Sequence, residues 1–283
     1  MSPERTLFLR TGALGDFILS LPLLRELSRT GRPLCLVTRR AYADLLPPAC
    51  RVERLIDVDG RAAAALFNGA AAAPPSSELA SLLAGAAVYA FLRPDPELEA
   101  AWHRLGTVAV TWIDPRPAGP HHAAVSFLRQ AGFAAPAGLV DMPLWPPSTR
   151  GRDLWIHAGS GSPAKNAPPT VFAEFADAWR RQRNDAGVVL SFGEADRDLA
   201  SSVRDEFERR AIPFEVIDRP SLAELKRLLL ARAGHYAGND SGVSHLAAAL
   251  GIPCTVWFRT TDQAVWRPLG ACEVRAGIEI AGR

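Results

Sequence analysis

The chain is 283 residues long, which is enough for two α/β domains that each bury a hydrophobic core. Hydrophobic residues at 48% and charged residues at 22% are typical of a folded globular protein. The formal charge of +2 gives no basic field that would attract nucleic acid, so a nucleic-acid-binding function is disfavoured.

The cysteines and the apolar runs bear on the compartment. Cys35, Cys50, Cys254 and Cys272 have no CxxC spacing, which favours buried thiols in a reducing compartment over zinc ligands or disulfides. The longest uncharged apolar run, residues 79–92, is shorter than the roughly 20 residues that cross a bilayer. We therefore expect a cytoplasmic protein, with a peripheral contact to the inner membrane surface left open.

The chain opens with a strand, a glycine turn and a helix. Residues 6–10 are the strand, Gly12 and Gly15 lie in the turn, and residues 17–27 form the helix. This unit is typical of a doubly wound parallel sheet, whose ligands bind at the carboxyl ends of the strands. The glycines lack the GxGxxG spacing of a dinucleotide site. Asp16 is interpreted either as a helix cap or as a general base.

The strand and helix rhythm continues through the first half. Further strands are predicted at residues 33–38, 54–58, 88–92 and 107–112. The alanine-rich residues 61–90 predict two helical pieces around a loop, and Pro22 predicts a kink or a later helix start. His121 and His122 open another helix. They have no partners at metal-ligand spacing, so we interpret them as surface or acceptor-side residues.

A proline cluster in residues 143–152 suits a linker and predicts two domains, residues 1–146 and residues 153–283. The second series starts with a strand at 153–157 and a Gly/Ser loop that carries Lys165. A lysine there is interpreted as a solvated charge or as the cation that neutralises a phosphate.

Three further features follow in chain order. A strand at 187–192 leads to a loop with Asp196, and a capping box starts a helix at Ser221. The strand at 254–258 ends in the loop 259–262.

Residues 238–253 carry the most specific signal in the chain. Small polar residues and glycine give way to an apolar helix that Gly251 closes. Asp240 and Ser241 are both good N-cap types, and Gly242 lets another molecule approach the backbone. The pattern predicts either an ordinary capped helix or a diphosphate bound at a helix N-terminus.

Together these motifs resemble glycosyltransferase family 9, the ADP-heptose:lipopolysaccharide heptosyltransferases. The segments that carry the resemblance are residues 15–18 with 21–22, 157–162 with Lys165, Gly193 with Asp196, 221–225, 238–242 with 245–249, and 261–262 with Trp266 and Pro268. The C-terminal half matches in order from end to end, whereas the N-terminal half matches at its first unit.

The resemblance implies a GT-B architecture, with two Rossmann-like domains facing each other across a cleft and the donor held by the second. It implies inversion with no metal and no cofactor, a nucleotide-sugar donor, ADP-heptose being favoured, and a glycan or glycolipid acceptor. Asp16 would be the base and Lys165 would stabilise the leaving diphosphate. The implied donor-binding residues are Gly15, Ser160, Ser162, Asp196, Asp240, Ser241, Gly242, Val243, His245, Thr261 and Asp262.

Two departures lie beside the implied donor site. The family usually has arginine and tryptophan where this chain has Asn166 and Ala167, and glycine and proline where it has Arg259 and Thr260. They leave another nucleotide sugar open as the donor. Two other classes also stay open, a nicotinamide-dependent Rossmann enzyme and a non-catalytic protein that binds a nucleotide sugar.

Overall fold

A computed structural model describes residues 2–69, 78–146, 151–183 and 186–276 of the chain. Contacts divide the chain into two units, Met1–Ala137 and Gly138–Arg283. In the described ranges, none of the helices is both long and apolar enough to cross a membrane.

The first unit is a parallel sheet with helices. Its strands are β1 (Arg5–Leu9), β2 (Leu34–Thr38), β3 (Arg54–Asp57), β4 (Ala86–Ala90) and β5 (Ala109–Trp112). Its helices are α1 (Leu14–Arg29), α2 (Arg61–Ala64), α3 (Glu78–Leu83), α4 (Pro96–Arg104) and α5 (Ala123–Gln130), with a 3₁₀ helix at Arg40–Leu45 and a π-helical turn at Ala65–Gly69. The five strands are parallel in the order β3-β2-β1-β4-β5.

The central strand β1 is buried on both faces, which is why it is a run of apolar residues rather than an alternating pattern. Leu7 and Leu9 pack in a cluster with Trp102, and Phe8 contacts the ring of Phe91 with centroids 5.3 Å apart. The chain leaves this strand at its carboxyl end directly into the turn before α1. The turn therefore lies at the edge of the sheet where α/β proteins bind ligands.

Helix α1 is longer than the sequence predicts and runs through Pro22. Proline in a helix interior removes a hydrogen bond and costs about 3 kcal/mol. Leu21 and Leu23 beside it are fully buried, and this packing offsets the local cost. The expected later start is wrong, since the helix begins at Leu14. The two alanine-rich helical pieces are confirmed as α2 and α3, and the loop expected between them lies outside the described residues.

The second unit has six parallel strands, β6 (Asp153–His157), β7 (Val188–Phe192), β8 (Glu215–Asp218), β9 (Ala233–Asn239), β10 (Cys254–Phe258) and β11 (Cys272–Ala276). Its helices are α6 (Pro169–Gln182), α7 (Arg197–Arg209), α8 (Leu222–Arg232), α9 (Gly242–Ala249) and α10 (Gln263–Trp266), with 3₁₀ turns at Leu139–Asp141, Pro163–Lys165 and Glu194–Asp196. Ser221 is confirmed as the N-cap of α8, because its hydroxyl accepts from the Glu224 amide.

The strand order β11-β10-β9-β6-β7-β8 decides where the loops of this unit meet. The chain enters at β6, moves outward through β7 and β8, and returns to the other side of β6 with β9. The carboxyl ends of β6, β9 and β10 are therefore neighbours at a topological switch point. The loop that follows each of these strands carries residues that the sequence assigns to the donor site.

The fold class, α/β with two Rossmann-like parallel-sheet units, is confirmed. The amides of Leu144 and Trp145 donate to the carbonyl oxygen of Ala249, so this part of the expected linker packs on the second unit. Residues 147–150 of that linker lie outside the described residues. The assignment of acceptor binding to the first unit and donor binding to the second stays a prediction.

Candidate functional site

A cluster around Asp240 brings together three loops of the second unit. The Lys165 ammonium, after β6, donates to Oδ2 of Asp240 over 2.7 Å, and the Thr261 hydroxyl, after β10, donates to the same oxygen over 2.6 Å. His245, on α9, places Nε2 3.7 Å from Oδ1. Asp240 is 6% exposed and Lys165 is 31% exposed, so a ligand can reach the ammonium while the carboxylate stays buried.

The electrostatics of this cluster favour an ionised Asp240. Burial alone would raise the pKa of the carboxyl group. The nearby His245 and the hydrogen bonds from Lys165 and Thr261 outweigh that effect and hold the pKa of Asp240 well below its ordinary value. The cluster is therefore a fixed ion pair of a buried carboxylate with a half-exposed ammonium.

The N-terminus of α9 follows Asp240 directly. Ser241 is its N-cap, and its hydroxyl accepts from the Ser244 amide over 3.3 Å. Asp240 is thus not a cap, because its carboxylate is held by the cluster. Among the described residues, the amides of Ser241, Gly242 and Val243 have no acceptor. Free amides at a helix N-terminus beside an ammonium are donors that can bind an anion.

Asn239 fixes the two ends of the loop of residues 158–167, which carries Lys165 and is called the lysine loop below. The sequence analysis missed this role. This fully buried side chain donates from Nδ2 to the carbonyl oxygen of Ala158 over 2.6 Å, and its Oδ1 accepts from the Ala167 amide over 2.9 Å. The two contacts lie at opposite ends of the loop that carries Lys165. Its place directly before Asp240, inside the segment 238–253, is the signal that could have pointed to it.

The two predicted serines shape this loop from inside. The Ser160 hydroxyl lies 2.7 Å from the carbonyl oxygen of Ser162 and 2.6 Å from Oδ1 of Asn166, and it accepts from the Ser162 amide over 3.3 Å. Arg259 donates to the carbonyl oxygen of Asn166 over 2.6 Å. The two departures from the family pattern, at 166 and 259, are therefore in direct contact.

Asp196 supports the same loop from the β7 side. Its Oδ2 accepts from the Gly193 amide over 2.7 Å and lies 3.5 Å from Nε2 of His157. A Cβ atom at position 159 would collide with this carboxylate, so only glycine fits at this position of the loop. The hydrogen bonds of Asp196 are internal. Its predicted role in placing donor hydroxyls stays a prediction.

His157 is the buried partner of Asp196. Its Nδ1 lies 3.0 Å from the carbonyl oxygen of Ser191, which orients the ring. Burial lowers the pKa of His157, and the nearby Asp196 and Ser191 only partly oppose this. The pair braces β6 against β7 below the loop.

Asp262 and Gly15 lie apart from the cluster around Asp240. Asp262 is an exposed N-cap of α10, and its Oδ1 accepts from the Ala264 amide over 2.8 Å. Gly15 lies in the first turn of α1 in the first unit, beside Asp16, whereas the other predicted donor residues belong to the second unit. For neither residue do the contacts indicate a ligand.

Asp16 occupies the third position of α1, behind the N-cap residue Ala13, and its carboxylate caps the helix by accepting from the backbone N–H of Ala13. Its Oδ2 accepts from the Ala13 amide over 3.2 Å, and a Cβ atom at Gly12 would come within 2.9 Å of that oxygen. The carboxylate is 36% exposed. It is therefore both anchored and accessible.

Arg10 is the other partner of Asp16, and the sequence analysis did not single it out. Its guanidinium lies 3.4 Å from Oδ1 of Asp16 and is 2% exposed. Nε and Nη2 also donate to the carbonyl oxygen of Asp16, over 3.2 and 3.1 Å. Burial lowers the pKa of Arg10 to about 10 although Asp16 and Tyr42 act to raise it, so the group keeps its charge at neutral pH.

The remaining sequence expectations concern histidines, cysteines and metals. His122 is a buried N-cap of α5 and not a surface residue, because its Nδ1 accepts from the Ala124 amide. Cys35, Cys50 and Cys254 are buried free thiols, as expected. In the described part of the chain, no three His, Cys, Asp or Glu side chains come together as a metal site.

The fold is of the GT-B class, and solved glycosyltransferases share it. A family 9 glycosyltransferase from Veillonella parvula DSM 2008 is 18% identical with a TM-score of 0.69, over 98% of this chain and 86% of that protein. The E. coli ADP-heptose lps heptosyltransferase II is 18% identical with a TM-score of 0.68, over 98% and 91%. E. coli heptosyltransferase WaaC, solved with ADP, is 20% identical with a TM-score of 0.67, over 97% and 93%.

A family model matches the sequence of the second unit. Residues 144–280 match the model of Glycosyltransferase family 9 (heptosyltransferase), which confirms the resemblance to that family and supports a glycosyltransferase. A search of curated proteins finds no match. The matched range contains Lys165, Asp240, Thr261 and the N-terminus of α9.

The replacement of Asn239 by leucine tests whether this residue closes the lysine loop. Asn239→Leu leaves two buried backbone groups unpaired, so we expect the free energy of unfolding to fall by roughly 2–6 kcal/mol. Urea denaturation measures this change, and trypsin should cut faster after Lys165. The control Asn166→Leu loses one hydrogen bond of a half-exposed side chain and should cost about 1 kcal/mol. Equal losses in both variants would contradict the assignment.

Proposed function

We propose that this protein is an inverting, metal-independent glycosyltransferase. It transfers a sugar, heptose from ADP-heptose being the favoured donor, to a hydroxyl of a lipopolysaccharide core or a related glycan. The observation that carries the proposal is the Lys165 and Asp240 ion pair beside the free amides of α9. An acceptor linked to lipid would have the enzyme work at the cytoplasmic face of the membrane.

The donor side of the mechanism needs positive charge where the diphosphate leaves. An ammonium has three N–H donors, and Asp240 takes one from Lys165, so two stay available for phosphate oxygens. The amides of Ser241, Gly242 and Val243 add donors along the helix axis, where the helix dipole favours negative charge. Groups fixed before the reaction stabilise the charge of the leaving group without having to reorganise.

Asp240 has a different role in this proposal from the one that the resemblance implies. Its Oδ2 accepts from both Lys165 and Thr261, and its side chain is buried. We assign it to holding the lysine in place rather than to binding donor hydroxyls.

The choice of lysine at position 165 supports a specific role. Lys165 and Lys226 are the two lysines of a chain with 32 lysines and arginines. The chain thus uses arginine for nearly all of its cationic surface. A compact ammonium can turn its donors toward a phosphate while one of them stays on a carboxylate.

The acceptor side needs a base, and Asp16 fits that role by its contacts. Each carboxylate oxygen has one partner, the Ala13 amide for Oδ2 and Arg10 for Oδ1, so each keeps capacity for a further hydrogen bond. The partial exposure of Asp16 lets an acceptor hydroxyl reach it. In an inverting transfer, the base removes the proton of the hydroxyl as it attacks from the side opposite the leaving diphosphate.

Removal of the Lys165 charge tests the donor site. Lys165→Met should weaken binding of ADP and ADP-heptose about 10- to 100-fold, since a hydrogen bond to a charged group contributes roughly 1.5–3 kcal/mol. Calorimetry measures the affinities. The control Lys226→Met removes the other lysine, which lies over the ring of Trp145, and should bind as the wild type does.

A thermal-shift panel of nucleotides and nucleotide sugars on the same variants identifies the donor class. Stabilisation by ADP-heptose that Lys165→Met abolishes is the expected result. A shift with a different nucleotide sugar would keep the site and replace the donor. Stabilisation by NAD alone would overturn the assignment of the class.

Replacement of Asp16 tests the base. Asp16→Asn should lower kcat at saturating donor roughly 100- to 10,000-fold, the range for loss of a general base, with ADP-heptose affinity nearly unchanged. Release of ADP in the presence of heptose-deficient lipopolysaccharide measures turnover. The control Glu26→Gln removes a carboxylate from the same helix, where it pairs with Arg29, and should leave kcat unaltered. Unchanged turnover in Asp16→Asn would place the base elsewhere.

Chelation tests the independence from metal. Lys165 and the amides of α9 can supply the positive charge that a divalent cation supplies in other phosphate sites. We therefore expect transfer to continue at full rate in excess EDTA. A loss of turnover that manganese or magnesium restores would show that the cation is required.

A further inference from the structure

We propose that Arg10 is the positioning residue for Asp16, so that turnover depends on Arg10 through the orientation of that carboxylate. This inference rests on the proposed role of Asp16 as the base. It goes beyond the family resemblance, whose implied site residues do not include Arg10.

Arg10 contacts residue 16 at two places. Nε and Nη2 donate to the backbone carbonyl oxygen of Asp16, and Nη2 also lies 3.4 Å from the side-chain Oδ1. The first pair of contacts fixes where the residue sits, and the last fixes which way its carboxylate points. A guanidinium can make both because its donors form a rigid planar fork.

The guanidinium itself has little freedom to move. Arg10 is 2% exposed, and its Cζ lies 4.4 Å from the ring centroid of Phe91 and 5.4 Å from that of Phe127. The two rings contact each other edge to face. A cation held on aromatic faces and cut off from water is a firm reference point for the carboxylate.

The stability of the fold does not by itself explain why the charge of Arg10 is buried. Removing a guanidinium from water is costly, and well-packed apolar residues often replace buried ion pairs without loss of stability. Asp16, the partner, is 36% exposed and could be solvated without Arg10. The arrangement therefore gives a defined carboxylate orientation, which a base needs and a helix start does not.

Without Arg10, the carboxylate keeps the Ala13 amide on Oδ2 as its anchor. Oδ1 is then free to turn with the side chain, and the attacking hydroxyl meets the base in the correct geometry less often. A misplacement of about 1 Å can lower a rate about 100-fold. We expect that loss in kcat for Arg10→Met, with the affinity for ADP-heptose unchanged.

A double-mutant cycle separates positioning from a merely structural role. ADP release from ADP-heptose with heptose-deficient lipopolysaccharide is measured for Arg10→Met, Asp16→Asn and the double variant. If Arg10 acts through Asp16, Arg10→Met should cost about 100-fold in the wild type and less than about 3-fold when residue 16 is asparagine. Equal costs in both backgrounds, or none in the wild type, would overturn the inference.

Two further variants complete the test. Arg10→Lys keeps the charge but replaces the rigid planar fork by a flexible ammonium, which should hold the carbonyl oxygen and Oδ1 less firmly, so its kcat should fall between those of the wild type and Arg10→Met. It replaces Arg10→Met in the cycle if melting curves show that the latter unfolds. Arg5→Met removes an arginine from the other end of β1, where it donates to the carbonyl oxygen of Ser81, and should leave kcat unchanged.

The results also distinguish the two proposals. A normal kcat in Asp16→Asn would reject Asp16 as the base, and with it the proposed mechanism. A low kcat in Asp16→Asn together with full activity in both Arg10 variants would reject the positioning role alone.

Discussion

The buried charge of Asp240 is the constraint on which the candidate donor site depends. A carboxylate that is 6% exposed must be compensated, because an unpaired buried ion costs several kcal/mol. The compensating donors are Lys165 and Thr261, and they come from the loops after two other strands. Folding therefore cannot bury Asp240 without drawing those loops together. The same contacts that compensate the charge place an ammonium beside the N-terminus of α9.

Each unit contains an ion pair with one buried and one accessible member, and the charges of the two members are reversed between the units. In the second unit, a buried anion, Asp240, holds a cation that is 31% exposed, Lys165. In the first unit, a buried cation, Arg10, holds an anion that is 36% exposed, Asp16. In both cases the buried member is fixed by its surroundings and the accessible member is available for chemistry. A leaving diphosphate needs an accessible cation, and an attacking hydroxyl needs an accessible base, so each unit presents the sign that its proposed role requires.

The sequence predicts those parts of the molecule that depend on neighbours along the chain. The turn and helix at residues 238–253 and the cap at Ser221 follow from local rules, and the structure contains both. Strand β9 is not predicted, because its glycines and His235 are not typical of a buried central strand. Asn239 and Arg10 are missed because their roles depend on contacts with residues from other elements, such as Ala158 and Phe91. Residue type alone does not reveal that a polar side chain is buried. Its burial becomes apparent only when the residues that it contacts are known.

The contact between Asn166 and Arg259 changes how the two departures from the family pattern are understood. Considered separately, each removes a residue that the family usually has beside the donor. In the structure, Arg259 donates to the backbone carbonyl oxygen of Asn166, the residue directly after Lys165. The arginine that the family carries on the lysine loop is thus absent there, while an arginine from the loop after β10 reaches the same segment. The contact attaches the lysine loop to the loop that carries Thr261, and it thereby supports the cluster around Asp240.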